Sequence, residues 1–322
     1  MAGLPELLGI ELPIAQAGMG GGLSGHLLAA TVSEAGGLGT IGFVDPDGLR
    51  REITAARRLT GKPIAVNLLL PFARRGHWDA AGAADLVVTF WGRPRRRTAN
   101  LWIHQCGSVE EALAARAAGA DAVIAQGVEA GGHVRGTLPS LELLARVRAS
   151  LGADYPVLVA GGVVDSADLK ARLDAGADVV VAGTRFLASE ESRAHAVYKQ
   201  RLIEARETIL TELFGAGWPA PHRVIPNAAT ERWLKKDPRG PGWLRTFDRV
   251  TAPALSRVPI QVQARLAASQ RATRPPFGPA AATADGPESL LQAGPLYAGE
   301  CVARIDEIRP ATELVRELSS GL

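Results

Sequence analysis

Residues 122–133 read AVIAQGVEAGGH, and this stretch combines the two features from which the fold can be derived. Its first part is a continuous apolar run, as expected of a strand that is buried on both faces. Its second part is a glycine-containing loop that ends in one imidazole, that of His133. Parallel sheets carry their functional groups in such loops, directly after the strands. The stretch therefore predicts a parallel α/β protein with His133 near its functional end.

Apolar runs of the same kind recur along the first 182 residues. They predict eight strands: Ile14–Gln16, Thr40–Phe43, Ile64–Leu70, Leu86–Phe90, Leu101–Gln105, Ala122–Gln126, Pro156–Ala160 and Asp178–Ala182. Alanine-rich stretches of helical period separate most of them: Leu27–Ala35, Val109–Ala118, Leu141–Leu151 and Ser166–Ala175. Eight such units favour a closed (β/α)8 TIM barrel over an open doubly wound sheet, with the active site at the carboxyl ends of the strands.

The composition changes after the eighth strand, and this change divides the chain. We expect residues 1–190 to form the barrel and residues 191–295 a C-terminal helical cap subdomain, which begins with a polar helix over Ala194–Phe214. Residues 296–322 are expected to pack back on the barrel. A cap over the barrel mouth is one interpretation of 191–295, and a surface decoration is the other.

The link between the fourth and fifth strands is unusually short. Only residues 92–100 are available, whereas a parallel crossover normally takes at least about 10 residues. The fourth helix should therefore be a single turn or missing. The link also contains the run Arg95–Arg97, which is either a solvated patch or a binding site for an anionic ligand or partner.

Composition narrows the class of protein. The net charge is only +3 and aromatic residues make up 5% of the chain, so the basic isoelectric point does not by itself indicate nucleic-acid binding. Two cysteines provide no disulfide framework, and no apolar stretch approaches the roughly 18 residues that span a bilayer. We therefore expect a cytoplasmic protein without nucleic-acid or membrane partners, and we assign no metal ligands.

Glycines follow three of the predicted strands in a pattern that indicates a ligand. Four of them lie within Gly18–Gly22, where the missing β-carbons allow a close approach of the backbone. Ala160-Gly161-Gly162 and Ala182-Gly183-Thr184 follow strands seven and eight, which is where this fold binds phosphate.

Two amides complete this predicted site. Asn67 and Gln126 are polar residues in otherwise apolar runs, and their side chains suit the edge of a heteroaromatic ring, although each could instead be a satisfied core amide. A ring and a phosphate together indicate flavin mononucleotide (FMN).

His133 is the candidate acid/base, because it follows a glycine pair at a strand end and titrates near neutrality. The remaining histidines lie in less suggestive positions; His104, for example, lies inside a predicted strand and is interpreted as a core residue. Cys106 is interpreted as a small apolar side chain rather than an activated thiol.

Six motifs of the chain resemble those of the nitronate monooxygenase family, formerly called 2-nitropropane dioxygenases. They are Pro13–Met19, Ala35–Gly39, Val66–Leu68, Ala125–His133, Ala160–Gly162 and Gly183–Ala188, and Pro221–Val224 and Tyr297–Glu300 resemble further segments. The resemblance implies that His133 is the acid/base and that FMN is contacted by Gly18, Met19, Asn67, Gln126, Gly131, Gly132, Gly161, Gly162, Ala182, Gly183 and Thr184. Val181 departs from the pattern, since many relatives carry glutamine there.

The resemblance implies an FMN-dependent oxidation of alkyl nitronates by O2 to a carbonyl compound and nitrite, with nitroalkanes as further candidate substrates. The partners would be a small-molecule substrate and O2; the sequence gives no oligomeric state. The alternative is an FMN- and NAD(P)H-dependent enoyl-[acyl-carrier-protein] reductase, which shares the barrel and the glycine-glycine-histidine. A flavin- or partner-binding barrel without activity is a third possibility. Purine-nucleotide dehydrogenases are disfavoured because they need a cysteine after strand six.

Overall fold

The computed structural model describes residues 3–255, 258 and 266–322, and these residues divide into two compact units. The first unit contains the residues up to Ala130 together with Arg135–Ser192 and Glu307–Leu322. The second contains Gly131–Val134 and the described part of Arg193–Asp306. The domain boundaries drawn from the sequence stay a prediction.

Within the described residues, the first unit is built on eight parallel strands. They are β1 (Ile14–Gln16), β2 (Gly39–Ile41), β3 (Ile64–Leu69), β4 (Leu86–Phe90), β5 (Leu101–Cys106), β6 (Ala122–Gln126), β8 (Val157–Ala160) and β9 (Val179–Ala182), while β7 (Gly132–His133) belongs to the second unit. The strands pair in the order β1-β9-β8-β6-β5-β4-β3-β2. Backbone hydrogen bonds from Leu38 N to Ile14 O (2.8 Å) and from Gln16 N to Leu38 O (2.9 Å) link the two ends of the sheet. The predicted (β/α)8 barrel is confirmed, with strand ends within two residues of those expected.

Helices connect most of these strands. In the described part of the first unit they are Leu4–Leu8, His26–Glu34, Pro46–Leu59, Arg75–Ala81, Val109–Ala117, Ser140–Leu151, Ser166–Asp174, Thr184–Leu187 and Ala311–Ser319. Several begin at a capping side chain: Asp45 Oδ1 accepts from Gly48 N (3.0 Å) and Asp165 Oδ1 accepts from Asp168 N (2.9 Å). Such caps contribute about 1 kcal/mol each to stability. No helix of the described chain is long and apolar enough to cross a membrane.

Alternation along the strands separates the barrel interior from its outer layer. Val179 and Val181 belong to the buried cluster inside the barrel, and Val180 between them packs in the cluster of the surrounding helices. The helix Ala311–Ser319 joins that outer cluster through Ala311, Leu314, Val315 and Leu318, which have helical spacing.

The link between β4 and β5 contains no helix among its residues, all of which are described, so the predicted short crossover is confirmed. In place of a helix, side chains of β4 and β5 themselves cover the outer faces of these two strands. The Trp102 indole N–H donates to Thr89 Oγ1 (2.7 Å), and Thr89 Oγ1 lies 2.8 Å from His104 Nδ1. Burial, and then the charge of Arg135, lowers the pKa of His104 to about 4, so it is neutral at pH 7. His104 is thus a buried structural residue, as interpreted from the sequence.

The second unit combines a small antiparallel sheet with short helices. Strand β11 (His222–Val224) pairs with both β10 (Ile209–Thr211) and β7. The described helices are Ala196–Glu204, Ala228–Trp233, Gly242–Leu255 and Leu290–Ala293, with a 3-10 helix at Glu300–Arg304. The core contains Leu213, Phe214, Val224, Ala229, Leu244, Phe277 and Ala293. Of the predicted Trp243–Ala268 segment, residues 256–257 and 259–265 lie outside the described residues.

One secondary-structure prediction for this unit is wrong. A polar helix was predicted over Ala194–Phe214, but the helix ends at Glu204 and the chain then forms β10. The reason is tertiary: Ile209 and Thr211 pair with Val224 and His222 of β11. This pairing overrides the local helical pattern.

Asp248 is expected to make the stability of this unit depend on pH. Its side chain is 1% exposed, and neither carboxylate oxygen has a hydrogen-bond partner among the described residues. Burial raises the pKa of the carboxyl to about 7. An unfolded aspartate ionises near pH 3.9, so the native state binds the extra proton between about pH 4 and pH 7.

We therefore expect Asp248 to contribute a negative slope to the free energy of unfolding, of up to about 1.4 kcal/mol per pH unit, as the pH rises through that window. The buried histidines His104 and His222, whose pKa values are lowered to about 4, contribute slopes of the opposite sign, so the contribution of Asp248 is read from the difference between variant and parent. Asp248→Asn should remove this slope and be more stable than the parent protein above pH 7. Urea unfolding at several pH values tests this, with exposed Asp174→Asn as the control that should keep the slope. An unchanged slope in Asp248→Asn would contradict the assignment.

Candidate active site

Most of the predicted flavin contacts lie at one end of the barrel. Gly18 and Met19 follow β1, Asn67 lies near the end of β3, and Gln126 ends β6. The strands are parallel, so their carboxyl ends meet at the same end of the barrel. Gly161, Gly162, Ala182, Gly183 and Thr184 belong to the same end, after β8 and β9.

Gly18 and Asn67 are in direct contact at this end of the barrel and form a pair. The Asn67 amide N–H donates to Gly18 O (2.8 Å), and a β-carbon on Gly18 would lie only 2.4 Å from the Asn67 β-carbon. Alternation along β3 places Asn67 on the interior side with Ala65. Its Oδ1 is buried and has no hydrogen-bond partner among the described residues. A buried acceptor without a partner is costly, so this oxygen fits a donor from a bound ligand.

Gln126 and Met19 are held by local hydrogen bonds. Gln126 lies on the interior side with Ile124, and its Oε1 accepts from the backbone N–H of Arg135 (3.3 Å). The backbone N–H of Met19 donates to Ser24 Oγ (2.9 Å), which fixes the loop after β1. The Gln126 amide is thus oriented by the protein.

The glycine pair after β8 has structural reasons of its own. Gly161 and Gly162 have positive φ angles of 128° and 72°. The Arg172 guanidinium donates to Gly161 O (2.7 Å), and a β-carbon on Gly162 would lie 2.8 Å from Arg172 Nη2. Glu129 Oε1, which accepts from Ser140 N (3.1 Å), would lie 3.0 Å from a β-carbon on Gly161. The positive φ angles therefore favour glycine at both positions, whether or not phosphate binds there.

Gly183 differs, because packing does not demand it. The nearest atom to a β-carbon at this position is Ala17 Cβ at 3.5 Å, an ordinary contact. The neighbouring backbone is fixed by the hydrogen bond from Ala17 N to Ala182 O (2.9 Å), and Thr184 then begins a short helix. Since neither sterics nor packing requires glycine at this strand end, its presence is consistent with a backbone that a ligand approaches closely.

The structure places Gly131, Gly132 and His133 in the second unit rather than with the barrel loops. His133 pairs with His222 across β7 and β11, and its ring stacks on Trp218 with centroids 3.6 Å apart and planes 17° apart. A β-carbon on Gly131 would lie 2.5 Å from the backbone nitrogen of Gly299, so this glycine allows the strand to pack closely.

The surroundings of His133 keep its imidazole neutral. Its Nε2 is buried, and burial, followed by the neighbouring His222, lowers the pKa of His133 well below the usual 6.5. Burial likewise lowers the pKa of His222 to about 4. A neutral imidazole can accept a proton at neutral pH, although a lowered pKa reduces its strength as a base.

Sequence reasoning missed the aromatic cluster around His133. Trp218 was not singled out, His222 was placed among the less suggestive histidines, and Tyr297, whose ring centroid lies 5.6 Å from that of His133, was noted only within a motif. The signal was present, because Pro221–Val224 and Tyr297–Glu300 are two of the segments that resemble the family.

Comparisons with known proteins agree with the barrel fold and identify the family. The chain matches the nitronate monooxygenase family model over residues 2–92 and 93–321. A probable nitronate monooxygenase of Staphylococcus saprophyticus is 35% identical over 63% of this chain and 72% of its own length. The solved structure of FabK from Thermotoga maritima covers 99% of this chain and 96% of its own, with 31% identity and a TM-score of 0.75. That of nitroalkane oxidase from Streptomyces ansochromogenes covers 98% and 97%, with 31% identity and a TM-score of 0.74.

These matches and the barrel define a flavin-dependent oxidoreductase. Within that class, the chain belongs to the nitronate monooxygenase family.

Proposed function

We propose that the flavin is FMN and that the carboxyl end of the barrel holds it. The unpartnered Asn67 Oδ1 carries this proposal, since an oxidised isoalloxazine ring offers one N–H donor, N3–H, at its edge. Gln126 would contact the same ring, and Gly18 and Met19 would line it. Backbone groups at Gly161, Gly162, Ala182, Gly183 and Thr184 would receive the phosphate, as in other barrels of this fold.

We propose further that the enzyme oxidises alkyl nitronates with O2 to a carbonyl compound and nitrite. When bound, the flavin supplies the electron acceptor for this oxidation and the site at which O2 is reduced. A nitronate is already a carbanion equivalent, so the chain's own residues need only bind it, orient it and exclude water. The family membership and the similarity to a nitroalkane oxidase support this activity.

His133 would act chiefly on neutral nitroalkanes, whose α-proton must first be removed. Its imidazole is neutral at pH 7 because burial lowers its pKa, so it is in the proton-accepting form. Gly131 and Gly132 would position the strand that carries it, in addition to the flavin contacts predicted for them.

A second candidate is an NAD(P)H-dependent enoyl-thioester reductase. The similarity to FabK favours it, since that structure matches over 99% of this chain. The segment Trp91-Gly92-Arg93-Pro94 favours the first candidate, because it resembles the aromatic-glycine-x-proline segment of the monooxygenases.

An anaerobic experiment separates the two. The purified yellow protein is mixed with a small alkyl nitronate and, separately, with NADH or NADPH, while the flavin absorbance is followed. Rapid change with nitronate alone supports the monooxygenase. Rapid bleaching by a nicotinamide with no response to nitronate would overturn it in favour of the reductase, and oxidation of NADH on addition of crotonyl thioester would identify the acceptor.

A further inference from the structure

We propose that the groove beside the β4–β5 link binds the adenosine diphosphate moiety of a nucleotide. The groove is open to solvent and has a volume of about 820 Å³, within the roughly 300–1,000 Å³ typical of small-molecule sites. It is lined by Leu70, Pro71, Ala73, Trp78, Gly92, Arg93, Pro94, Arg95, Arg96, Arg97 and Ala118. All of these residues belong to the first unit.

The groove exists because the crossover helix is missing. In a complete (β/α)8 barrel a helix between β4 and β5 would pack between its neighbours, here Arg75–Ala81 and Val109–Ala117. Residues 91–100 instead run as an extended link, with Trp78 of one neighbouring helix and Ala118 after the other forming the walls. The space of one helix is thereby left as a concave surface.

The positive charge of the groove lining favours an anionic ligand. Four arginines line the groove, and its lining contains no acidic residue. Arg96 is committed to structure, since it pairs with Asp121 (3.1 Å) and donates to Gly119 O (2.6 Å). Arg93, Arg95 and Arg97 form no ion pair among the described residues, and each is exposed. Guanidinium groups bind phosphate oxygens with two parallel hydrogen bonds, so three arginines without an ion pair suit a diphosphate.

Trp78 adds affinity for a planar base. Its side chain is half-buried, and the guanidinium of Arg97 lies over its ring, 6.0 Å from the centroid. An adenine ring can stack on either planar surface. One aromatic wall beside several arginines without an ion pair matches a base joined to a diphosphate better than it matches a simple phosphate.

The position of the groove relates the nucleotide to the reaction site. Leu70 directly follows β3 and Gly92 lies two residues after β4, so one end of the groove is at the carboxyl ends of these strands. Ala118 follows the helix Val109–Ala117, towards the opposite end. The remainder of a larger nucleotide could thus extend from the groove towards the barrel mouth. Pyridine dinucleotides and coenzyme A thioesters share this adenosine diphosphate chemistry.

The test is the binding of ADP to the full-length flavin-loaded enzyme by isothermal titration calorimetry, so that the flavin site is already filled. We expect Arg95→Ala/Arg97→Ala to weaken ADP binding by at least about tenfold, because two charge-assisted contacts are lost. Arg75→Ala removes a neighbouring exposed arginine that does not line the groove and should stay within about twofold. Absence of ADP binding, or equal binding by the double variant, would overturn the proposal.

Three further measurements sharpen the result. Trp78→Leu should weaken ADP but not inorganic diphosphate if the base stacks there. Adenosine 2′,5′-diphosphate, which resembles NADPH, and adenosine 3′,5′-diphosphate, which resembles coenzyme A, distinguish the two sources, and tighter binding of either supports a nucleotide. If the protein does not bind ADP, poly-glutamate binding that Arg95→Ala/Arg97→Ala abolishes would instead indicate an acidic protein partner and refute the assignment. All of these readouts are independent of nitronate oxidation.

Discussion

Replacing His133 with asparagine is expected to lower kcat/KM for a neutral nitroalkane by about 10²–10⁴-fold, the usual contribution of a general base. With the corresponding alkyl nitronate, which needs no deprotonation, the loss should be about threefold or less if the imidazole acts only as a base. The measurement is steady-state O2 consumption with the two forms of one substrate. Equal losses on both would refute the role of His133.

A matched variant separates proton transfer from damage to the fold. His222→Asn removes the imidazole that pairs with His133 and that lies within hydrogen-bond distance of Ala220 O (2.9 Å) and Phe214 N (3.3 Å). It should lower thermal stability and, at a pH well above 6.5 where His133 is neutral with or without its neighbour, affect both substrates alike. The pH profile gives a second readout, since burial lowers the pKa of His133 well below 6.5. The acid limb of kcat/KM for nitroalkanes should therefore lie below pH 6.5 and be absent for nitronates.

Gly18→Ala is expected to yield protein with little bound flavin and to raise the dissociation constant for FMN by about 100-fold or more. The new β-carbon would lie 2.4 Å from Asn67 Cβ and 2.9 Å from Thr40 Cγ2, so Asn67 must move. Its buried Oδ1 would then lose the position from which we propose it accepts a flavin hydrogen bond, and overpacking itself costs about 1–3 kcal/mol.

The same loop provides the control. A β-carbon on Gly20 would have its nearest neighbour at 3.6 Å, which is ordinary contact, and Gly20 does not need a positive φ angle. Gly20→Ala should therefore retain flavin and melt within a few degrees of the parent protein. Fluorescence titration of the apoprotein with FMN, together with thermal melts, tests both variants. Full flavin affinity in Gly18→Ala would refute the proposed role of the pair.

The barrel could be predicted because its strands are buried on both faces. Runs such as Ile64–Leu69 and Val179–Ala182 are apolar at every position but one or none, and this pattern is typical of buried parallel strands. Asn67 stood out as the polar exception and proved to carry the unpartnered oxygen. Local pattern and tertiary structure agree here, so the sequence is sufficient.

The second unit was harder to predict, because its contacts are distant in sequence. Strand β7 at residues 132–133 pairs with β11 at residues 222–224, and no local periodicity records a pairing across ninety residues. The helix expected over Ala194–Phe214 was wrong for the same reason. The stacking of Trp218 on His133 depends on this pairing and could not be read from either segment alone.

The outer faces of β4 and β5 are covered by side chains of the same two strands, and this has a consequence for evolution. Thr89, Trp102 and His104 satisfy one another across the two strands. The link between the strands therefore holds the barrel together through only a few residues, such as Arg96, which contacts Asp121 and Gly119 O. Its length and charge can then diverge among relatives at little expense to the fold. In protein engineering, the link would serve as an exchangeable cassette: grafting it from one relative to another should transfer ligand preference while leaving the redox centre intact.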